Sequence, residues 1–225
     1  MVLLLLGRWL RAHARSTICA GWTAQGRIVL GILALIAGYA LIASVTTLWD
    51  RDEPRNAKAA LEMVQSGDWL VPHFNDQWRL HKPVLGYWLM ATNVLILGAT
   101  DFAVRLPAIL GAAVSVFMTW WMVRRLSNPF SPFNSAALGR QGDYARAAAL
   151  ILATSPLLII AGTAATHDAW LLASICTAIA AFVVILCAQK PVWWATLLLG
   201  LALGVAQLTK GPVGLIVPLL TIFGT

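Results

Sequence analysis

The sequence predicts an all-α integral membrane protein, a helical bundle of several spans with one amphipathic outer loop. Of its 225 residues, 60% are hydrophobic and only 11% are charged, and the mean hydropathy is +0.77. A soluble globular domain carries about 25% charged residues. The formal net charge is +7, but the arginines cluster beside apolar runs, as the signals that orient membrane helices do. Nucleic-acid binding is therefore excluded as a function.

Apolar runs predict where the chain crosses the membrane. A helix needs about 20 apolar residues to span the hydrocarbon core, because no water is available there to satisfy the backbone. Five runs qualify and a sixth stops at the last residue: 28–48, 106–123, 147–166, 169–188, 192–208 and 212–225. Segment 84–98 would reach only about 22 Å, so it is predicted to be interfacial or re-entrant. Gly200 and Gly204 form a small-residue pair that predicts close helix packing.

Basic residues in short segments predict the orientation. They lie before the first span, after the second and after the fourth: Arg8, Arg11, Arg15, Arg27, Arg124, Arg125, Arg140, Arg146 and Lys190. These segments are predicted to be cytoplasmic, which gives a cytoplasmic basic N-terminal arm over residues 1–27 and one transmembrane domain over 28–225. The loop 49–101, the loop at Asp168 and the loop at Lys210 then share the outer side. Ionisable groups that converge at membrane depth commonly mark a site.

The outer loop contains a predicted helix that lies on the membrane surface or packs on the bundle. Its apolar residues follow helical spacing, and Pro54 suits its first turn while Gly67 suits its end. The predicted apolar face consists of Ala57, Ala60, Leu61 and Val64. Segment 67–83 is predicted to be irregular. The aromatic residues predicted to anchor this region at the interface are Trp69, Trp78, Tyr87 and Trp88.

Carboxylates at span ends are the first catalytic candidates. Asp52 follows the first span, where it could act as a general base on an attacking hydroxyl or amine, or as a metal ligand. A helix N-cap would explain the same residue without any chemistry. Asp168 opens the fourth span, where capping is by itself the simpler explanation. Glu53 is an additional candidate because it adjoins Asp52.

Basic residues on the same face are candidates for binding a phosphate. His81 and Lys82 could contact a phosphate or a leaving group, although a lysine beside a bilayer commonly extends to the headgroups instead. Lys210 has the same two interpretations. Arg55 and Arg105 could bind a lipid phosphate of the substrate or ordinary headgroups.

An ordered series of motifs resembles a known family. The motifs are DEPR at 52–55, SGDWLVP at 66–72, KP at 82–83, YWL at 87–89, RLP at 105–107 and TKGP at 209–212. As a series they resemble the bacterial branch of the protein O-mannosyltransferase and lipid A aminoarabinose transferase superfamily. The resemblance extends from about residue 45 to 218.

The resemblance implies a GT-C fold and a glycosyltransferase that uses a polyprenyl-phosphate sugar donor. It places the site on the outer face of the bacterial inner membrane, with a lipid or protein as acceptor. It also implies a catalytic role for Asp52 and, with a weaker match, for Asp168. Lys82 matches a lysine that holds the donor phosphate, and Arg55, Lys210 or a divalent metal would add positive charge there. The sugar, the acceptor and any metal requirement stay open.

Two departures and two alternatives complete these expectations. The family usually has an acid where His81 stands and a second proline where Val84 stands, and its chains continue through further spans. The chain is therefore expected to be the N-terminal part of such an enzyme. One alternative is a transporter or lipid-binding protein, which predicts charges in the middle of spans. The other is an inactive fragment of the enzyme.

Overall fold

The computed structural model describes residues 26, 28–48, 51–126 and 141–224, and there the chain forms a helical bundle with one small hairpin. The helices are α1 (Ile28–Val45), α2 (Asp52–Ser66), α3 (Leu85–Leu97), α4 (Asp101–Leu126), α5 (Gln141–Ala153), α6 (Pro156–Thr163), α7 (Asp168–Cys187), α8 (Trp193–Lys210) and α9 (Val213–Phe223). Strands β1 (His73–Phe74) and β2 (Gln77–Trp78) pair antiparallel. The predicted basic arm, apart from Gly26, lies outside the described residues.

Three helices of the described chain, α1, α4 and α7, are long and apolar enough to cross a membrane, which confirms three predicted spans. α4 begins at Asp101, before the predicted start at residue 106. The prediction missed this first part because it carries charged residues and therefore does not belong to the apolar run. α8 has 18 residues but is less apolar, since it ends with Gln207 and Lys210. α9 is a short apolar helix of 11 residues.

The predicted span over residues 147–166 is broken in the structure. The segment comprises the last part of α5 and the whole of α6, which meet at an angle of 59°. The break falls where Pro156 opens α6. Proline has no N–H to donate, and its ring clashes with the carbonyl four residues earlier, so a straight helix cannot continue through it. The pair counts as one bent span or as a re-entrant segment.

Helices α4 and α7 form the centre of the bundle. α5 and α6 pack on α4, while α8 and α9 pack on α7. Backbones approach closely at Gly111, where an added Cβ would lie 2.9 Å from the Ala169 carbonyl carbon. Thr119 contacts Cys176 further along the same two helices, so α4 and α7 run in the same direction. Both helices therefore begin at the same end of the bundle. α8 finishes at that end, because its last residue, Lys210, contacts Asp168 at the start of α7.

The predicted packing role of Gly200 and Gly204 is not seen in the described chain. An added Cβ at either position would meet nothing within 4 Å. Among the described glycines, those at close contacts with a residue outside their own helix are instead Gly86, Gly111, Gly162 and Gly214.

The outer helix exists as predicted, and its buried side is wider than predicted. α2 ends at Ser66 and is capped by Gly67, which adopts φ 74°. Its fully buried residues are Glu53, Asn56, Ala59, Ala60 and Met63, while the other predicted face residues, Ala57, Leu61 and Val64, are half-buried and pack against the same cluster. The fully buried part was only partly predicted, because two of its members are polar. α2 packs against α3 through a cluster that includes Met63, Tyr87 and Met90.

Two further predictions in this region have different outcomes. Tyr87 is completely buried, so the prediction that it anchors the interface is wrong, whereas Trp78 is exposed.

α3 has 13 residues and reaches about 20 Å at ~1.5 Å per residue, too short to cross a membrane alone. Its interfacial or re-entrant placement stays a prediction.

Candidate functional site

Asp52 and Lys82 form an ion pair at the end of the bundle where α4 and α7 begin. The Lys82 ammonium donates to Asp52 Oδ2 at 3.0 Å. α2 begins at Asp52, and the preceding residue makes no side-chain cap bond. The N-cap position is occupied by Arg51, and the described hydrogen bond of the Asp52 carboxylate comes from Lys82. The alternative that Asp52 serves as the helix N-cap is therefore wrong.

The surrounding charges keep Asp52 ionised. The hydrogen bond from Lys82 lowers the pKa of Asp52, and the charges of Lys82, Arg79 and Arg55 lower it further. Partial burial acts in the opposite direction but does not overcome them. At neutral pH the site thus holds an anionic carboxylate next to a cationic lysine.

A second pair joins Asp168 and Lys210. α7 begins at Asp168 without a side-chain cap bond, and the Lys210 ammonium donates to Asp168 Oδ1. Lys210 is the last residue of α8, and Gly211 turns the chain with φ 68°. Both side chains stay partly exposed, at 37% for Lys210 and 48% for Asp168. A ligand can therefore reach this pair.

A buried histidine lies between the two pairs. His167 is 1% exposed, and neither of its ring nitrogens has a hydrogen-bond partner among the described residues. Burial lowers the pKa of His167 to about 4, and the positive charge of Lys82 contributes in the same direction. Lys210 and Asp168 also act on this ring. The imidazole is therefore neutral at physiological pH.

The histidine fits because α3 has a glycine opposite it. A Cβ at Gly86 would lie 2.0 Å from His167 Cδ2, so no other residue fits there without a shift. The next residue, Tyr87, meets the imidazole edge-on with ring centroids 5.0 Å apart. α3 and the start of α7 thus pack closely against each other at the site.

Glu53 and Arg105 form a fully buried ion pair behind Asp52. Both side chains are 0% exposed, and Arg105 donates to both carboxylate oxygens of Glu53 at 3.0 Å. Its remaining N–H groups bond to Ala43, Thr46 and Thr47 at the end of α1. The interpretation of Arg105 as a headgroup ligand is therefore wrong. Glu53 also accepts from the Ala165 N–H at 2.6 Å, which ties the loop before Asp168 to α2.

A polar network that the sequence did not reveal supports the same region. Arg79 donates to the Tyr87 hydroxyl at 2.9 Å and to Asn56 Oδ1 at 3.2 Å. Asn56 donates in turn to the Ala165 carbonyl at 3.0 Å. Asn56 follows Glu53 by three residues, and that helical spacing was the available signal. Arg79 lies in a segment without periodicity, so nothing in the sequence marked it as buried.

The other predicted site residues take different positions. Arg55 is half-buried, and its charge acts on Asp52. His81 is exposed next to Lys82, and no described contact brings it to either pair. Among the described residues no group of three or more His, Cys, Asp or Glu side chains is arranged to hold a metal ion. A divalent metal stays a prediction.

An apolar groove leads to Asp168. It has a volume of about 480 Å³ and is lined by α6, by the start of α7 and by the loop between them. Leu157, Leu158, Ile160 and Leu172 supply apolar walls, and Asp168 lies at the polar part of the lining. The buried Thr166 hydroxyl, also in this lining, lacks a described partner. The groove thus places apolar walls next to the Asp168–Lys210 ion pair.

Comparison with known proteins identifies relatives of this arrangement. The family model described as dolichyl-phosphate-mannose-protein mannosyltransferase matches residues 81–224. An undecaprenyl phosphate-α-4-amino-4-deoxy-L-arabinose arabinosyl transferase of Erwinia tasmaniensis is 32% identical over 188 residues, which cover 82% of this chain and 32% of the relative. An enzyme of the same name from Enterobacter sp. is 34% identical over 204 residues, covering 88% and 34%.

Solved structures agree with the fold. The crystal structure of ArnT from Cupriavidus metallidurans bound to undecaprenyl phosphate matches with a TM-score of 0.74 at 22% identity, covering 87% of this chain and 35% of that one. Its apo form gives 0.75 at 23% identity, with 90% and 36% covered. This confirms the predicted multi-span helical fold of GT-C type. The chain spans about a third of the length of the curated relatives it matches.

Proposed function

Because the chain belongs to the dolichyl-phosphate-mannose-protein mannosyltransferase family, we propose that it carries the catalytic face of a membrane glycosyltransferase. The enzyme would move a sugar from a polyprenyl-phosphate donor to a lipid or protein acceptor. The observation that carries this proposal is the convergence of two carboxylate–lysine pairs, Asp52–Lys82 and Asp168–Lys210, around the neutral His167. The site would face the outer side of the bacterial inner membrane.

The lysines are the groups that would receive the donor phosphate. Lys82 and Lys210 each hold one carboxylate and keep further N–H donors, since an ammonium has three. A phosphate that binds between them would form charge-assisted hydrogen bonds with both. Arg55, whose charge already acts on Asp52, would add to the positive potential. His81 is exposed beside Lys82 and would contribute at the rim of the site.

The transfer itself requires a base and a stabilised leaving group. The acceptor oxygen forms a bond to the anomeric carbon of the sugar while the bond from that carbon to the phosphate oxygen breaks. The electron pair of the broken bond leaves with the polyprenyl phosphate, whose charge Lys82 and Lys210 stabilise. The acceptor proton passes to the Asp52 carboxylate. Asp168 would orient Lys210 and hold the acceptor in line.

Glu53 takes a supporting role in this proposal. Arg105 and the Ala165 N–H already occupy both of its carboxylate oxygens, so it is a poor candidate for accepting a further proton. Its contacts fix the start of α2, and with it the position of Asp52.

The groove beside Asp168 suits the hydrocarbon part of the donor. Its apolar walls and its adjacency to the Asp168–Lys210 pair match an amphiphile with a phosphate head and an isoprenoid chain. The relatives named above act with undecaprenyl phosphate as the lipid carrier, and we propose a carrier of this class here. A transport pathway is less favoured, because the ion pairs lie at helix ends rather than in the middle of spans.

Binding of the lipid phosphate tests the proposal directly. The purified chain in detergent is titrated with undecaprenyl phosphate, comparing wild type with Lys82→Met, Lys210→Met and the control Lys190→Met. Lys190 is an exposed lysine in the loop between α7 and α8. A charge-assisted hydrogen bond contributes about 1.5–3 kcal/mol, so each site variant should bind roughly 10- to 100-fold more weakly. Equal weakening by Lys190→Met, or none by Lys82→Met, would overturn the assignment.

A further inference from the structure

A pair of adjoining cavities lies at the end of the bundle opposite the ion pairs. The larger, of about 620 Å³, lies between α1 and the last turns of α4 and includes Arg124 and Arg125 in its lining. The smaller, of about 210 Å³, lies between α1, α4 and α5. Ile28 and Trp120 line both cavities, so the two adjoin, and together they make up the space at this end of the bundle.

This space is distant from the candidate catalytic site. Arg105, behind Asp52, and Arg124 lie on the same helix α4. Nineteen residues at ~1.5 Å per residue separate them by about 28 Å, roughly the thickness of the hydrocarbon core. A ligand in this space would therefore belong to the opposite leaflet and would not be the glycosyl donor.

The mouth of the space is built from arginines stacked on tryptophans. The Arg124 guanidinium lies 5.2 Å from the Trp120 ring centroid, and that of Arg125 lies 5.0 Å from Trp121. Each pair is one helical turn apart, which places the cation over its ring. Stacking uses the flat face of a guanidinium and leaves its N–H edge directed elsewhere, where it can bind a phosphate with two hydrogen bonds.

The interior of the space is mainly apolar. Ile28, Ile32, Leu35 and Val116 line the smaller cavity together with Arg146, and Gly31 leaves room by lacking a side chain. Two cations at the mouth and an interior that is apolar apart from Arg146 match an anionic amphiphile. The leaflet facing the cytoplasm is rich in anionic phospholipids, and basic groups near it attract them.

We propose that this space is a binding site for one anionic phospholipid, with its phosphate on Arg124 and Arg125 and an acyl chain against α1. The lipid would fasten the ends of α1 and α4 together on the face opposite the glycosyl-transfer site. The occupant is a membrane lipid and not a free phosphate, because most of the lining is apolar.

Lipid retention in native mass spectrometry tests the proposal. The purified chain in a neutral detergent is titrated with phosphatidylglycerol or with zwitterionic phosphatidylethanolamine. We expect one saturable phosphatidylglycerol, bound at least several-fold more tightly than phosphatidylethanolamine. Each arginine near the surface contributes about fivefold to such binding, so Arg124→Gln and Arg125→Gln should each lose about that factor. Lys190→Gln removes a basic charge from an exposed loop that lines neither cavity. Its affinity for phosphatidylglycerol should stay within twofold of wild type.

Three outcomes would overturn the proposal. Equal binding of the two lipids would remove the role of the anionic head. A loss with Lys190→Gln as large as with the arginine variants would show diffuse charge attraction rather than a site. Displacement of the lipid by millimolar glycerol phosphate, the headgroup without acyl chains, would show that the apolar cavity is not used.

Discussion

The ion pair with Lys82 keeps the Asp52 carboxylate ionised. Its hydrogen bond from Lys82 is the largest cause of its lowered pKa. A carboxylate in that state is a weak base. In the proposed reaction a donor phosphate would attract the Lys82 ammonium, the carboxylate would lose its partner, and its pKa would rise toward the ordinary value. Donor binding and activation of the base would then be one event.

The pH dependence of kcat/KM tests this coupling at the level of one residue. That profile reports the pKa values of the free enzyme. A carboxyl group with a lowered pKa stays ionised above its ordinary value of 3.8, so the wild-type acid limb due to Asp52 should lie below this value. Lys82→Met removes the hydrogen bond and the charge, and the limb of its residual activity should move to higher pH. Lys58→Met leaves the Asp52–Lys82 pair intact and is the control, so its acid limb should stay at the wild-type pH. An acid limb that Lys82→Met also leaves at the wild-type pH would contradict the coupling.

The buried pair of Glu53 and Arg105 is expected to dominate the stability of the site. Removing one partner of such a pair leaves an uncompensated buried charge, which costs about 3–5 kcal/mol. Arg105→Met should therefore lower the unfolding temperature in detergent markedly. Lys58→Met breaks the half-exposed pair with Glu62 and should change stability by less than about 1 kcal/mol. Comparable effects of the two variants would contradict this assignment.

At the scale of helices, the sequence predicted which elements exist better than which faces they bury. α1, α4 and α7 follow from apolar length alone, and the end of α2 follows from Gly67. The polar members of the buried side of α2 could not be predicted from hydrophobicity, because Glu53 and Asn56 are buried through partners distant in sequence. The bend at Pro156 could have been predicted from the sequence, since proline interrupts the helical hydrogen-bond pattern.

The contact between α3 and the start of α7 makes Gly86 a sensitive position. Alanine is normally the better helix former by about 1 kcal/mol, yet at Gly86 its Cβ would overlap the His167 ring. Gly86→Ala should therefore destabilise the protein by about 1–3 kcal/mol, the usual cost of overpacking. Thermal unfolding measures this.

A helix glycine in open space provides the matched control. Gly200→Ala meets nothing within 4 Å in the described chain, so it should leave stability unchanged or raise it. The cost of Gly86→Ala should shrink in a His167→Ala background. If Gly86→Ala is as well tolerated as Gly200→Ala, the close approach of His167 to α3 is wrong.

On the scale of the whole molecule, the two ends of the bundle carry different chemistry. Carboxylate–lysine pairs gather where α4 and α7 begin, whereas Arg124 and Arg125 lie where α4 ends. The sequence predicted this division from the positions of basic residues, and Asp52, Lys82, Asp168 and Lys210 were all named from it. It placed His167 beside Asp168 in the same outer loop but gave it no role, and it did not mark Arg79, because the importance of both comes from burial and neighbours that only the packed chain creates.

The orientation of these ends in the membrane is testable by labelling. Asp76 lies in the hairpin turn at the site end, and Lys190 lies in the loop between α7 and α8. In a background without the three native cysteines, Asp76→Cys should react with a membrane-impermeant maleimide in intact cells. Lys190→Cys should react only after the membrane is permeabilised. Reaction of both from the same side would contradict the orientation.

The most direct test of the central claim is the release of polyprenyl phosphate from labelled polyprenyl-phosphate sugars. Wild type is compared with Asp52→Asn and with Asp76→Asn, which alters an exposed carboxylate in the hairpin turn. Loss of a general base costs about 10² to 10⁴ in rate, so release by Asp52→Asn should fall by that factor while Asp76→Asn keeps the wild-type rate. Equal release by wild type and Asp52→Asn, or no release from any donor by the folded protein, would contradict the account.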